Sequence, residues 1–319
     1  FILTGSANPE ERVRLHSGAG RFSVFKMRPM SFYEKGWSTG EVSLADLMKG
    51  SVPASESAVF DLGELAEKLT LGGWPSLIGA SAREGLRFTQ DYVALIAEAD
   101  ISRVSEKRRD PLKVRRLFQS LSRNLSTMAS VSSLAKDTGG SDVTIADETI
   151  AEYLDVLERL MIVEQLPSWS AHLRSSSTLR KSPKRHFVDP SLAVGALGIS
   201  VDKLLSDLNY FGLLFESLVI RDLRIYSAVH DGMVFHYHDS VDLEADAIVE
   251  FPDRSWEAFE IKLGFGAQDE AAANLLSLAN KIDTEKMGAP AALTIITGNG
   301  FAFRRKDGVN VVPLSTLTA

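Results

Sequence analysis

The 319 residues include 45% hydrophobic and 24% charged side chains, and 35 basic against 42 acidic residues give a formal net charge of −7. Such a composition excludes a disordered chain, a collagen-like fibre and a coiled-coil rod, and the length predicts two or three domains. The lack of cysteine excludes a disulfide scaffold and a Cys-based zinc site, and points to a reducing, cytoplasmic setting. No apolar run reaches the ~18 residues of a membrane helix, so no membrane partner is expected.

The chain opens on Phe1-Ile2-Leu3-Thr4-Gly5-Ser6, with no initial Met and no signal-peptide pattern. Phe1 to Leu3 read as a buried strand, so the sequence is expected to start inside a domain. A second strand-like run covers Arg21 to Met27. Pro29 keeps the residue before it extended, and Ser31 is placed to cap a short helix. Residues 61–102 read as helical. Leu62, Leu65, Ala66 and Leu69 form one stripe, and Phe88, Tyr92, Leu95 and Ile96 another. Gly72-Gly73-Trp74-Pro75 breaks between them.

Pro111 opens a helix that continues through Leu112, Arg116, Leu117, Leu121 and Leu125. Ser132 to Gly139 reads as a short helix with a glycine stop. A longer helix, Thr149 to Ile162, turns Ile150, Leu154, Leu157, Leu160 and Met161 inward. Two β-prone runs, Ile162 to Leu166 and His186 to Val188, flank a basic loop. Helix, short helix, helix, hairpin is the order of a winged helix-turn-helix, although such units also serve as spacers and protein-contact modules. Charge adds to this. Residues 103–123 hold eight basic and two acidic side chains, +6, and residues 172–186 hold five basic and no acidic ones, +5. Two basic blocks in an acidic chain point to DNA; the alternative is a solvated face plus an Arg-rich seam between domains.

From residue 190 onward the elements alternate. A helix over Asn209 to Tyr226 precedes strands at Met233–His238, Leu243–Phe251 and Trp256–Leu263. A helix over Asp269 to Ile282 and strands at Ala292–Thr297 and Val309–Pro313 complete an α/β core. In the third strand Glu260 and Lys262 share one face, while Phe259, Ile261 and Leu263 share the other. Asp246, on the preceding strand, can lie beside Glu260 across the hairpin. Two carboxylates and a backbone carbonyl suit Mg²⁺ or Mn²⁺, which makes Asp246 and Glu260 candidate metal ligands. Lys262 could orient or deprotonate water there. Glu216 sits on the apolar stripe of Leu213, Ile220 and Leu223, where a lone carboxylate needs a partner such as the metal or Lys262. The structural alternative for the whole group is a buried Glu–Lys ion pair without catalysis. His236 and His238 also share a strand face, but read better as surface or core polar residues than as metal ligands. The G-x-S-x-G elbow of serine hydrolases is absent.

The helix carboxylate Glu216, then Asp246, then Glu260-Ile261-Lys262 resembles the PD-(D/E)XK nuclease-like superfamily, with Ala245 where that pattern carries proline. The chain as a whole is similar to a family of bacterial and archaeal ATP-binding proteins. In that family an AAA-type P-loop ATPase domain precedes a winged helix and a C-terminal domain of unknown function with the nuclease-like fold. The likeness rests on Phe1 to Ser6, Gly20-Arg21-Phe22, Arg28-Pro29-Met30-Ser31-Phe32-Tyr33-Glu34, Gly73-Trp74-Pro75, Phe211 to Glu216 and Glu260-Ile261-Lys262.

The resemblance implies a multidomain α/β and α+β chain. It would hold the end of an ATPase core over 1–60, a helical lid over 61–110, a winged helix over 111–190 and a nuclease-like domain over 191–319. It implies that Thr4 and Ser6 lie near the γ-phosphate of ATP, and that Arg21 acts as an arginine finger. No G-x-x-x-x-G-K-[ST] occurs, so the Walker motifs are expected upstream, and ATP binding by these 319 residues is expected to be weak or absent. Three functions are consistent with these residues. One is an ATPase fragment of a DNA-associated protein. Another is a Mg²⁺-dependent endonuclease using Glu216, Asp246, Glu260 and Lys262. The last is a non-catalytic interaction module.

Overall fold

The structure, a computed structural model, describes residues 25–55, 60–100, 110–140, 145–170 and 182–319. Its architecture is mixed α/β and multidomain, with eleven α-helices and three sheets among the described residues. Thr4, Ser6 and Arg21 lie outside the described residues, as do 103–109 and 172–181 of the two basic blocks.

Phe25–Met27, the described end of the expected strand, join no sheet among the described residues. Phe25 and Met27 are about nine-tenths exposed. Ser31 caps a turn, not a helix: its N–H and hydroxyl both donate to the Glu34 carboxylate, at 2.8 and 2.9 Å. Strand β1 (Val42–Ser43) and helix α1 (Leu44–Met48) follow. Helices α2 (Leu62–Leu71) and α3 (Ala82–Leu95) each begin with a capping box, from Asp61 with Glu64 and from Ser81 with Glu84.

The middle unit runs α4 (Pro111–Arg123), α5 (Val131–Gly139), α6 (Asp147–Arg159), β2 (Val163–Leu166), β3 (Lys184–Phe187). The last two pair antiparallel, with Glu164 opposite His186. Helix α6 stops short of the expected Ile162 because Met161 takes φ 57°, a left-handed turn that redirects the chain into β2. Past β2 the chain lies along a strand of the large sheet. Trp169 N–H donates to the His236 carbonyl at 2.7 Å, and His236 N–H donates to the Pro167 carbonyl at 2.9 Å. That contact covers a sheet edge that would otherwise be open.

The C-terminal part comprises α7 (Ser191–Leu197), α8 (Val201–Ser206) and the long α9 (Leu208–Ala228). Then come β4 (Met233–His238), β5 (Glu244–Glu250), β6 (Trp256–Lys262), α10 (Gln268–Lys281), α11 (Thr284–Met287), β7 (Ala292–Thr297), β8 (Phe303–Arg304), β9 (Asn310–Pro313) and β10 (Leu317–Thr318). Six strands form one sheet in the order β4-β5-β6-β7-β9-β8, parallel at β6–β7 and β7–β9. Phe259 and Ile261 pack in one cluster with Phe211, Leu214, Phe215 and Leu218 of α9. Trp256 and Ala258 pack in another with Ala271, Ala272, Leu275 and Leu278 of α10. Helices on both faces bury the central strands, so these read as nearly continuous apolar runs.

The segment assigned from sequence to the ATPase core lies, in its described part, against this C-terminal unit. Strand β1 pairs parallel with β10, and the Ser43 hydroxyl donates to the Ala319 carbonyl at 2.6 Å. Ser38 Oγ donates to the Leu317 carbonyl at 2.7 Å, and Ala302 N–H to Ser55 Oγ at 2.8 Å.

Candidate functional site

The β5–β6 register sets Ala247 opposite Phe259, which brings Asp246 level with Glu260 at the end of the ladder. Asp246 Oδ2 accepts the Ile261 N–H at 2.7 Å and lies 3.4 Å from Lys262 Nζ. Lys262 Nζ also meets Glu260 Oε2 at 2.5 Å. Glu216 enters from α9, and its Oε1 accepts a hydrogen bond from Lys184 Nζ at 2.9 Å. The same ammonium lies 3.9 Å from Asp246 Oδ1. All four expected residues are therefore close, joined by a fifth, Lys184 of β3, which the sequence places only in a basic block.

Charge and burial set the proton affinities. Burial pushes Glu216 up to about 7, against the attraction of Lys184. Burial and the neighbouring Asp246 push Glu260 up to about 7, against Lys262. Burial works against the ammonium of Lys184, but Glu216 and Asp246 outweigh it and raise its pKa. Lys262 is raised in the same way, with Asp246 and Glu260 outweighing burial. Three carboxylates thus face two ammoniums, and the surplus negative charge appears as carboxyl groups that hold protons near neutrality.

The donor set does not fit a divalent cation as the side chains stand. Lys262 bridges Asp246 and Glu260, so an ammonium sits between the two expected metal ligands. Lys184 bridges Glu216 and Asp246 in the same manner. Among the described residues no three His, Cys, Asp or Glu side chains are grouped to hold one metal ion. His238 instead faces Asp242 and Glu244, at 3.4 and 3.3 Å.

Buried carboxylates also escaped the sequence reading, Glu257 among them. Glu257 is fully buried on β6, accepts the Thr294 hydroxyl at 2.6 Å, and is pushed up to about 8 by burial. The signal was its parity: Glu257 shares the apolar face of that strand with Phe259 and Ile261.

Of the described basic residues of the two blocks, Lys184 is buried and Arg185 half-buried, whereas Arg115, Arg116 and Arg123 are exposed. Arg115 pairs with Glu98. Arg123 pairs with Asp137 at 2.9 Å, and Arg185 donates to the Ala129 carbonyl at 2.6 Å. Helix α6, which a winged helix would set into a DNA groove, carries Asp147, Glu148, Glu152, Asp155 and Glu158 against Arg159 alone.

These features define a mixed α/β multidomain protein with a buried ion-pair network at the junction of its hairpin, long helix and large sheet. Residues 62–203 match a family described as a domain of unknown function, DUF8612, and residues 211–317 match another, DUF4143. Uncharacterized proteins of Mycobacterium tuberculosis and Mycobacterium bovis are 28% identical over 264 residues, 82% of this chain. The chain spans about half, 52%, of the length of those curated relatives. No solved structure matches. Among the described residues no helix is long and apolar enough to cross a membrane.

Proposed function

We propose that these residues form the coupling part of a longer ATP-binding protein, and that the Glu216–Lys184–Asp246–Lys262–Glu260 network clamps its units together. The observation that carries this reading is Lys184. It leaves the middle hairpin to pair with Glu216 at 2.9 Å, while its ammonium also faces Asp246. A nuclease centre needs carboxylate oxygens free for a cation, whereas here ammoniums lie between the carboxylates. The resemblance to AAA-type proteins and the greater length of the relatives support placement in a longer ATPase. DNA association is the weaker part of this reading, because the acidic α6 would repel phosphates.

The test is plasmid nicking with Mg²⁺ or Mn²⁺, beside calorimetric titration of Mn²⁺ and of ATP into the 319-residue chain. The clamp reading expects no metal-dependent cleavage and no tight binding of either ligand. The convergence of Glu216, Asp246, Glu260 and Lys262 supports a second reading, the Mg²⁺-dependent endonuclease. Cleavage that disappears in Lys262→Ala would establish that reading and overturn the clamp. Tight ATP binding would overturn the assignment as a part lacking the phosphate-binding loop.

A further inference from the structure

A cavity of about 500 Å³ lies away from this network, walled by Lys26 and Arg28, by β2, by the last turn of α9 and by the start of β4. Its charges are unbalanced. Three cations converge on one carboxylate, Glu164. Arg224 Nη1 meets Glu164 Oε2 at 2.7 Å, Arg28 approaches both carboxylate oxygens at 3.3 Å, and Lys26 pairs with Oε1. The other acid in the wall, Glu158, is held by the Gln165 amide at 2.5 Å. Two positive charges are therefore in excess around Glu164, and one across the cavity walls as a whole. An unbalanced charge beside a partly desolvated cavity is costly, and an anion entering from solvent relieves the cost.

The neighbouring groups report the same positive field. Burial works to raise Glu164, yet Arg224, Arg28 and Lys26 hold it down to about 2. Burial lowers Arg224, and Arg28 lowers it further although Glu164 opposes both. Buried His186 is held well below its ordinary range by desolvation, then by Arg224 and Lys184. The Ser227 carbonyl at the end of α9 does not offset the cations freely, because the His230 and Gly232 amides already donate to it at 3.0 and 2.9 Å.

We infer that this cavity is a binding site for a small phosphate monoester, with Lys26, Arg28 and Arg224 facing the phosphate. A phosphate monoester carries one to two negative charges near neutrality, which spans the single excess charge of the walls and the two around Glu164, and guanidinium groups suit its pairs of oxygens. The cavity is larger than a phosphate, so it also takes the organic part of the molecule. This site shares no lining residue with the carboxylate–lysine network.

Calorimetric titration with inorganic phosphate, ribose 5-phosphate and a nucleoside monophosphate tests the inference on the 319-residue chain. Saturable binding that weakens with added salt is expected. Tighter binding of an organic phosphate than of inorganic phosphate would show that the cavity holds the organic part, and equal binding that phosphate alone is held. Lys26→Gln, at the half-exposed rim, should weaken binding about tenfold through loss of one charge-assisted contact. Glu164→Gln keeps the shape, removes the competing carboxylate and should tighten binding. No saturable binding of any of the three probes up to about 10 mM overturns the inference. So does binding that is unchanged in Lys26→Gln. Because Lys26 is at the rim and leaves the Arg224–Glu164 pair intact, its variant keeps the test valid even if Glu164→Gln fails to fold.

Discussion

Helix α9 carries two buried ionic knots that have the same net charge and different consequences. In the first, Arg221 lies between two acids, 2.6 Å from Asp189 Oδ2 and 2.8 Å from Asp222 Oδ1. In the second, Lys184 and Lys262 face Glu216, Asp246 and Glu260. Each holds one negative charge too many. Around Arg221 the surplus is met by donors. Asp189 accepts the Gly73 and Ser191 amides at 2.8 and 2.9 Å and the Ser191 hydroxyl at 2.6 Å, and Asp222 accepts the Phe32 amide at 2.8 Å and the Tyr226 hydroxyl at 3.3 Å. Burial still raises Asp222 above its ordinary value, against Arg221 and the Phe32 amide. In the second knot, among the described residues, a single amide, that of Ile261, reaches the carboxylates. Its surplus is left to Glu216 and Glu260, which bind protons near neutrality. A buried charge that backbone donors satisfy is structural, whereas one without them remains responsive to protons and partners.

The largest expected effect is at the first knot. Arg221→Met leaves Asp189 and Asp222 buried without their cation, and should cost on the order of 3–5 kcal/mol in urea unfolding. A loss below about 1 kcal/mol would show that the amide donors alone hold the two acids.

At the second knot the effect should be smaller and pH-dependent. The folded-state pKa of Glu216, about 7, lies above its unfolded value of roughly 4.3. Its stabilising contribution is therefore complete below about pH 4 and is lost as pH rises through about 7. Lys184→Met removes the cation that favours the carboxylate, so the affinity of Glu216 for its proton rises further. The variant should unfold roughly 1–3 kcal/mol more easily at pH 8 and resemble the parent at pH 5. A deficit that does not depend on pH would sink the distinction between the two knots.

The smallest change is expected for Glu260→Gln, a neutral isostere of a side chain that already binds a proton near neutrality. Thermal unfolding at pH 6 should shift by no more than about 1 kcal/mol, and the decline in stability between pH 5 and 8 should flatten. A large loss at pH 6 would mean that the pair with Lys262 carries the fold there.

The motifs behind the family likeness find much of their meaning at the first knot. Gly73 donates its amide to Asp189, Trp74 Nε1 donates to Ser191 Oγ at 2.9 Å, and Phe32 donates to Asp222. A Cβ at Gly72, which has φ 65°, would lie 2.5 Å from Asp189 Oδ1, and one at Gly73 would lie 2.2 Å from the Met30 carbonyl. Short-range periodicity makes the helices and the Asp246, Glu260, Lys262 grouping legible, since a hairpin register and strand alternation suffice to bring these together. It leaves Lys184 among solvated basic residues, because only the packing of β3 against α9 turns it inward.

By itself, then, the sequence determined the mixed α/β order, the hairpin that aligns Asp246 with Glu260, and the excess of carboxylates over lysines on those strands. Local periodicity encodes such features within one or two neighbouring elements. Tertiary structure alone decided which charges are spent inside and which remain open. Lys184 closes the carboxylate network from a distant hairpin, and Lys26, Arg28 and Arg224 gather on Glu164 across an interval of nearly 200 residues. A charge is a property of one residue, but its compensation depends on every element packed against it.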